Sequence, residues 1–191
     1  DFHAENIRIG GGEIFFDFVS PLGKILDIQL GVPVAINIEN GIAAMALAQL
    51  SGVTNDEIKA GMASFQGIER RFDFKIKTDK VVYLSDYAHH PEEIKQSILS
   101  VRALYQDKKL TAVFQPHLYT RTRDFYQEFA DSLSLLDEVI LTDIYPAREL
   151  PIEGVSSQLI YDHLSPNVEK TLCKKEEVLE LLKNKNIEVL I

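Results

Sequence analysis

The spacing of hydrophobic and polar positions changes along the chain. Between Glu5 and Val19 apolar residues alternate loosely on either side of Gly10-Gly11-Gly12, with Phe15, Phe16 and Phe18 beyond the glycines. Three glycines between β-compatible runs predict a hairpin or a longer turn. Pro21-Leu22-Gly23-Lys24 marks a second turn, after which Ile25, Ile28, Leu30 and Val32 read as another strand. From Asn40 the period lengthens. Ile42, Ala43, Met45, Ala46, Leu47 and Leu50 suit an Ala-rich helix that Ser51-Gly52 ends. Thr54 or Asn55 caps a second helix, whose apolar stripe is Ile58, Met62 and Phe65. The run Gly67-Ile68-Glu69-Arg70-Arg71-Phe72 breaks the pattern and marks a domain junction, dividing the chain into residues 1–69 and 70–191.

Beyond the junction, short apolar runs alternate with amphipathic stretches. Val81–Leu84, Leu110–Phe114 and Val139–Thr142 read as strands. Pro91 suits the first position of a helix carrying Ile94, Ile98, Val101, Leu104 and Tyr105. Phe125, Phe129, Leu133 and Leu136 form the stripe of the next helix. Ser156–Leu164 and Glu176–Leu182 are two more, ahead of a terminal strand at Ile187–Ile191. This alternation predicts an α/β fold with a doubly wound, mostly parallel sheet, preceded by an α+β segment.

Composition narrows the function classes. The 191 residues carry 20 Lys plus Arg against 29 Asp plus Glu, a net charge of −9, which is not the footprint of a general nucleic-acid binder. No apolar run approaches the about 20 residues that a membrane span needs. One cysteine, Cys173, permits neither an internal disulfide nor a multi-cysteine zinc site, which fits a cytoplasmic location. The opening residues show no secretory signal. The first residue is not Met, and the last five read as a strand without a following turn, so the sequence reads as part of a longer protein.

In doubly wound sheets, ligands bind beyond the carboxyl ends of the strands. Three strands are followed there by unusual polar runs: Ser85-Asp86-Tyr87-Ala88-His89-His90-Pro91, Gln115-Pro116-His117-Leu118-Tyr119-Thr120-Arg121-Thr122-Arg123-Asp124, and Asp143-Ile144-Tyr145-Pro146-Ala147-Arg148-Glu149. Their convergence would build one anion-receiving pocket. Arg121 and Arg123, with His117, are cations at a helix start, where the helix dipole disfavours them and an anionic partner would be needed. Asp86 suits either a ribose hydroxyl or an ordinary turn. His89 and His90 project in different directions, so no metal set is assigned. Asp143 and Glu149 could hold Mg²⁺, but pairing with Arg148 is the preferred reading. No Gly-rich phosphate loop and no Gly-x-Ser-x-Gly occurs.

The loops at 85–94 and 114–124 resemble the C-terminal domain of the Mur ligase family. So do Gly67–Phe72, Tyr145–Ile152 and Asn37-Ile38-Glu39-Asn40-Gly41-Ile42-Ala43-Ala44. The resemblance implies that residues 1–69 end a central ATP-binding domain and that residues 70–191 form most of a Rossmann-like C-terminal domain. It implies an ATP- and Mg²⁺-dependent, cytoplasmic ligase of peptidoglycan precursor synthesis. In such a ligase ATP phosphorylates the carboxylate of UDP-N-acetylmuramate, L-alanine attacks the acyl phosphate, and phosphate leaves. Position by position, it assigns Asn37, Asn40, Arg70 and Asp86 to ATP, and Tyr87, His89, His117 and Arg121 to the nucleotide-sugar carboxylate and the amino acid. It assigns no metal ligand, and no catalytic residue within the 191 residues.

Three positions depart from the family pattern. Leu118 stands where many relatives have Arg, so Arg121 or Arg123 must supply the missing cation. Ala88 replaces a common Gly, and Ile36 a common His. Lacking a phosphate loop, these residues alone are expected to be inactive. The alternatives are a ligase that recycles murein tripeptide onto the same nucleotide sugar, and a non-catalytic nucleotide- or amino-acid-binding module.

Overall fold

The computed structural model describes residues 1–191. They divide into two compact units, Asp1–Asp73 with Ser100–Gln106, and Phe74–Leu99 with Asp107–Ile191.

In the first unit, β1 (His3–Gly10), β2 (Glu13–Ser20) and β3 (Gly23–Gln29) form an antiparallel sheet in that order. The β1–β2 turn has left-handed backbone at Gly11 (φ +60°) and Gly12 (φ +79°), which glycine adopts without a Cβ penalty. Along central β2 the residues two apart, Ile14, Phe16 and Phe18, are all buried. Asp17 is buried too, but its carboxylate accepts the Asp27 N–H at 2.9 Å and the Asn6 amide at 3.4 Å. Helices α1 (Ile36–Leu50) and α2 (Asn55–Ser64) complete this unit. Thr54 caps α2 in a reciprocal capping box with Glu57.

Two expectations need correction here. Helix α1 begins at Ile36 rather than near Asn40, because its start carries no side-chain cap that the sequence could announce. Phe65 lies outside the apolar stripe: α2 ends at Ser64, Phe65 turns extended (ψ 118°), and 54% of it is exposed.

The second sheet runs β4-β5-β9-β6-β7-β8. Its members in chain order are β4 (Asp73–Lys77), β5 (Val82–Ser85), β6 (Leu110–Phe114), β7 (Glu138–Leu141), β8 (Glu169–Leu172) and β9 (Val189–Leu190). Every pair from β5 to β8 is parallel. The intervening helices are α3 (Pro91–Leu104), α4 (Tyr119–Leu133), α5 (Gln158–His163) and α6 (Val178–Lys183). Connections from β5 through β8 step in one direction across the sheet, and the α6 connection returns to β9. Right-handed crossovers therefore put α6 on the face opposite α3, α4 and α5, a doubly wound sheet. Leu84, Leu110, Val139, Ile140, Leu141 and Val189 are each fully buried, and Ile98, Phe129, Leu133 and Ile160 cover them.

Both edge strands, β4 and β8, are additions to the elements that the sequence predicts. Asp-Phe-Lys-Ile-Lys and Glu-Lys-Thr-Leu lack the continuous apolar run of a strand buried on both faces, because an edge position does not demand one. No helix is long and apolar enough to cross a membrane.

Candidate functional site

The loops after β5, β6 and β7 meet at the carboxyl edge of the parallel sheet. Pairing between β6 and β7 continues past the strands. Tyr145 donates its backbone N–H to the Pro116 carbonyl at 2.8 Å, and Leu118 donates to the Tyr145 carbonyl at 2.9 Å. This zipper stacks the His117 ring on Tyr145, centroids 5.5 Å apart. The Gln115 side chain adds a bond to the Asp143 carbonyl at 3.1 Å.

From the β5 loop, His89 sits edge-on to His117 at 6.4 Å and tilted on Tyr87 at 5.2 Å. Four rings, Tyr87, His89, His117 and Tyr145, thus form a row across three loops. Tyr87 and Tyr145 are exposed at its ends. His89 Nδ1 lies 2.8 Å from the Tyr87 carbonyl, which can only accept, so Nδ1 carries the proton. In the neutral ring this leaves Nε2 an acceptor. The loop is anchored by Glu93, whose carboxylate accepts the N–H groups of His89 (3.0 Å) and His90 (3.2 Å) at the start of α3. The His89 bond first, and then that of His90, hold the Glu93 carboxyl below its ordinary range against the opposing effect of burial. His90 turns away and packs edge-on against Phe125 at 5.3 Å.

Arg121 reaches the same place from α4, its guanidinium donating to the His89 carbonyl at 3.4 Å. It makes no ion pair within 4 Å, whereas Arg123 pairs with Asp124 at 2.7 Å. Of the two candidate replacements for the cation missing at Leu118, Arg121 is therefore the one that points into the cluster. His117 Nδ1 is buried without a hydrogen-bond partner. Burial first, then the charges of Arg121 and His89, push the His117 ring below its ordinary value of 6.5, with Glu149 opposing. The ring is accordingly held neutral beside a cation.

Glu149 departs from its expected pairing with Arg148. Its carboxylate accepts the Thr120 N–H at 3.0 Å and the Thr120 hydroxyl at 2.5 Å, at the first turn of α4. The hydroxyl bond is the largest cause of its lowered carboxyl, with lesser contributions from the backbone and Arg121. No sequence signal announces this bond, because it spans 29 residues.

The residues expected at the nucleotide lie in both units. Asp86, in the second, accepts the adjacent Tyr87 N–H at 2.8 Å. It lines a cavity of about 70 Å³ with Ala88, Ile94, Ser97, Phe114 and Ile191. In the first unit Asn37 donates its amide to the Val32 carbonyl, and Asn40 donates to Asn37 across one turn of α1. Arg70 has left-handed backbone (φ +63°), and its N–H is held by Asp73 at 3.0 Å. No three His, Cys, Asp or Glu side chains gather in a way that could hold a metal ion.

The fold and the loop cluster define a class: the chain belongs to the Mur ligase family. Residues 70–187 match the family model described as Mur ligase, glutamate ligase domain. All 191 residues align at 80% identity with the UDP-N-acetylmuramate--L-alanine ligase of Phocaeicola vulgatus, covering 42% of that protein. Identity to the ligase of the same name from Parabacteroides distasonis is 62%, covering the whole chain and 41% of the relative. The chain thus spans about two fifths of the relatives it matches. Among solved structures, the UDP-N-acetylmuramate-alanine ligase MurC of Thermotoga maritima superposes with a TM-score of 0.78 at 24% identity, over 99% of this chain and 41% of that one. The folylpolyglutamate synthase of the same organism gives 0.77 at 16% identity, over 100% and 43%. One fold therefore serves differently named ligases, and fold alone does not select the acceptor.

Proposed function

We propose that this chain is part of an ATP-dependent ligase that joins L-alanine to the carboxylate of UDP-N-acetylmuramate in cytoplasmic peptidoglycan precursor synthesis. The names of the highly identical relatives support the reaction. The observation that carries it is the cluster of His89, His117 and Arg121, gathered from two loops and left with a cation that has no acidic partner.

A carboxylate is a poor electrophile, so ligation requires its prior phosphorylation. ATP supplies that phosphoryl group when bound, and the amine of L-alanine then displaces phosphate from the acyl phosphate. In this reading the chain's own residues bind and orient. Arg121 offers a planar fork to a carboxylate, either that of the amino acid or that of the nucleotide sugar. His117, held neutral, offers the ring nitrogen that does not carry the proton as an acceptor for the incoming amine. Tyr87 and His89 close the side facing the β5 loop. Asp86 accepts from a ribose hydroxyl, Asn37 and Asn40 serve the adenine end, and Arg70 serves the nucleotide.

The test uses the full-length protein with Mg-ATP and UDP-N-acetylmuramate. Phosphate release should depend on L-alanine, and murein tripeptide should replace it poorly. Efficient turnover of tripeptide would assign the recycling reaction instead, and saturable nucleotide binding without turnover would leave a binding module. Because no phosphate loop lies within them, the 191 residues alone should release no phosphate above background.

A further inference from the structure

We propose that Glu149 is a positioning residue for the amino-acid side of the site, holding the first turn of α4 so that Arg121 faces the His89–His117 cluster. This inference rests on the ligase reading above and goes beyond it to a residue that contacts neither proposed substrate.

Helix α4 starts without a cap of its own. The residue before it is Leu118, whose side chain accepts nothing and whose backbone is held at φ +73°, ψ 136°, a region that L-residues avoid. The open N–H groups of a helix start must be met from elsewhere. Glu149 meets one of them: its two carboxylate oxygens divide between the Thr120 N–H and the Thr120 hydroxyl. A carboxylate also suits the positive end of the helix dipole.

At Phe125 the backbone leaves helical geometry (φ −129°, ψ 17°), a kink between Tyr119–Asp124, where Thr122 is buried, and the rest of α4, where Phe129 and Leu133 are buried. Arg121 rides on the segment before the kink. Glu149 itself is fixed by its own loop, where its N–H bonds the Pro146 carbonyl at 2.9 Å across a left-handed Ala147. That loop is zipped to His117 through Tyr145. One carboxylate thereby links the ring that faces the amine to the turn that carries the cation. Glu149 lies near enough for Arg121 to lower its carboxyl pKa, yet no ion pair within 4 Å forms, so the guanidinium stays available.

Glu149→Ala in the full-length protein should raise KM for L-alanine on the order of 10- to 100-fold, the scale of a misplaced binding group. KM for ATP should not change. Glu149→Gln, which keeps one acceptor oxygen, should recover part of the loss. Thr120→Val should act in the same direction, and combining it with Glu149→Ala should add nothing, as expected for partners in one bond. Amide hydrogen exchange of Glu149→Ala, read without turnover, should speed up at 119–124 and stay unchanged at 126–133. Unchanged KM for L-alanine in the folded variant, additive effects with Thr120→Val, or unchanged exchange at 119–124 would overturn the proposal. A parallel rise in every KM, with loss of thermal stability, would reduce Glu149 to a structural residue. A wild-type protein that turns over tripeptide and not L-alanine would sink the assigned acceptor instead, and the same comparison would then be read on the tripeptide KM.

Discussion

At the amino edge of the parallel sheet, Glu138 is 1% exposed and is held between two ammonium groups, Lys109 Nζ at 2.8 Å and Lys185 Nζ. Glu169 closes the group from the neighbouring strand, 2.7 Å from Lys109. At the carboxyl edge, Arg121, His89 and His117 approach one another with no carboxylate paired to the guanidinium. The same sheet thus spends its charges on one another at one end and leaves them open at the other. Burial alone would raise the Glu138 carboxyl pKa, but the Lys109 and Lys185 hydrogen bonds outweigh it and the net direction is down. At the carboxyl edge burial, joined by the charges of Arg121 and His89, outweighs the opposing charge of Glu149, and the His117 ring is pushed below its ordinary value. The network at the amino edge is closed on itself, whereas Arg121 at the carboxyl edge has no acidic partner within 4 Å.

Removing the compensation at the amino edge should produce the largest effect. Lys109→Met with Lys185→Met would strand Glu138 in the interior, at a cost of about 3–5 kcal/mol. Adding Glu138→Leu to that pair should restore most of the loss, because an apolar trio removes the stranded charge as well as its partners. Urea unfolding measures both variants. If the double variant lost under about 1 kcal/mol, a surface-pair value, the amino edge would not be a closed buried network.

The next effect belongs to the open edge and should appear in binding rather than stability. Arg121→Ala in the full-length protein should raise KM for L-alanine or for the nucleotide sugar roughly 10- to 150-fold, the equivalent of a charge-assisted bond of about 1.5–3 kcal/mol. Arg121→Lys should fall between, since it keeps charge and loses the fork. Unfolding should barely respond. Kinetics that stay at wild-type values, with a clear loss of stability, would make the two edges alike.

How far the two edges could be read from the sequence depends on how locally each is built. Pro91 and the period of Ile94, Ile98 and Val101 located α3, and Glu93 caps it from within three or four residues. The apolar run of β7 is fully buried and that of β6 is buried over its first three residues, with no competing pattern. Their polar successors announced the loops, and the resemblance to the Mur ligase family then named Tyr87, His89, His117 and Arg121 within them. What stayed hidden is built at long range. Glu149 reaches 29 residues back to Thr120, and Lys185 closes on a glutamate 47 positions earlier in the chain. Edge strands β4 and β8 carry too few apolar positions to stand out. The start of α1 escaped for the opposite reason: Ala35 offers no cap to read.

The smallest effect isolates why the open edge is neutral at His117. The folded ring binds its proton less readily than the unfolded one, so stability should fall as pH drops below about 6.5, until the folded ring also protonates. Arg121 is the second cause of that depression and burial the first. Removing the guanidinium should therefore move the His117 NMR titration midpoint upward but leave it below the ordinary value, because the desolvated ring remains. His117 in the Lys109→Met, Lys185→Met variant should titrate as in wild type, since those cations serve Glu138 at the far end of the strands. A midpoint that stays fixed in Arg121→Ala would mean that the guanidinium is not felt at the ring. The three loops would then frame separate groups rather than one electrostatically coupled pocket.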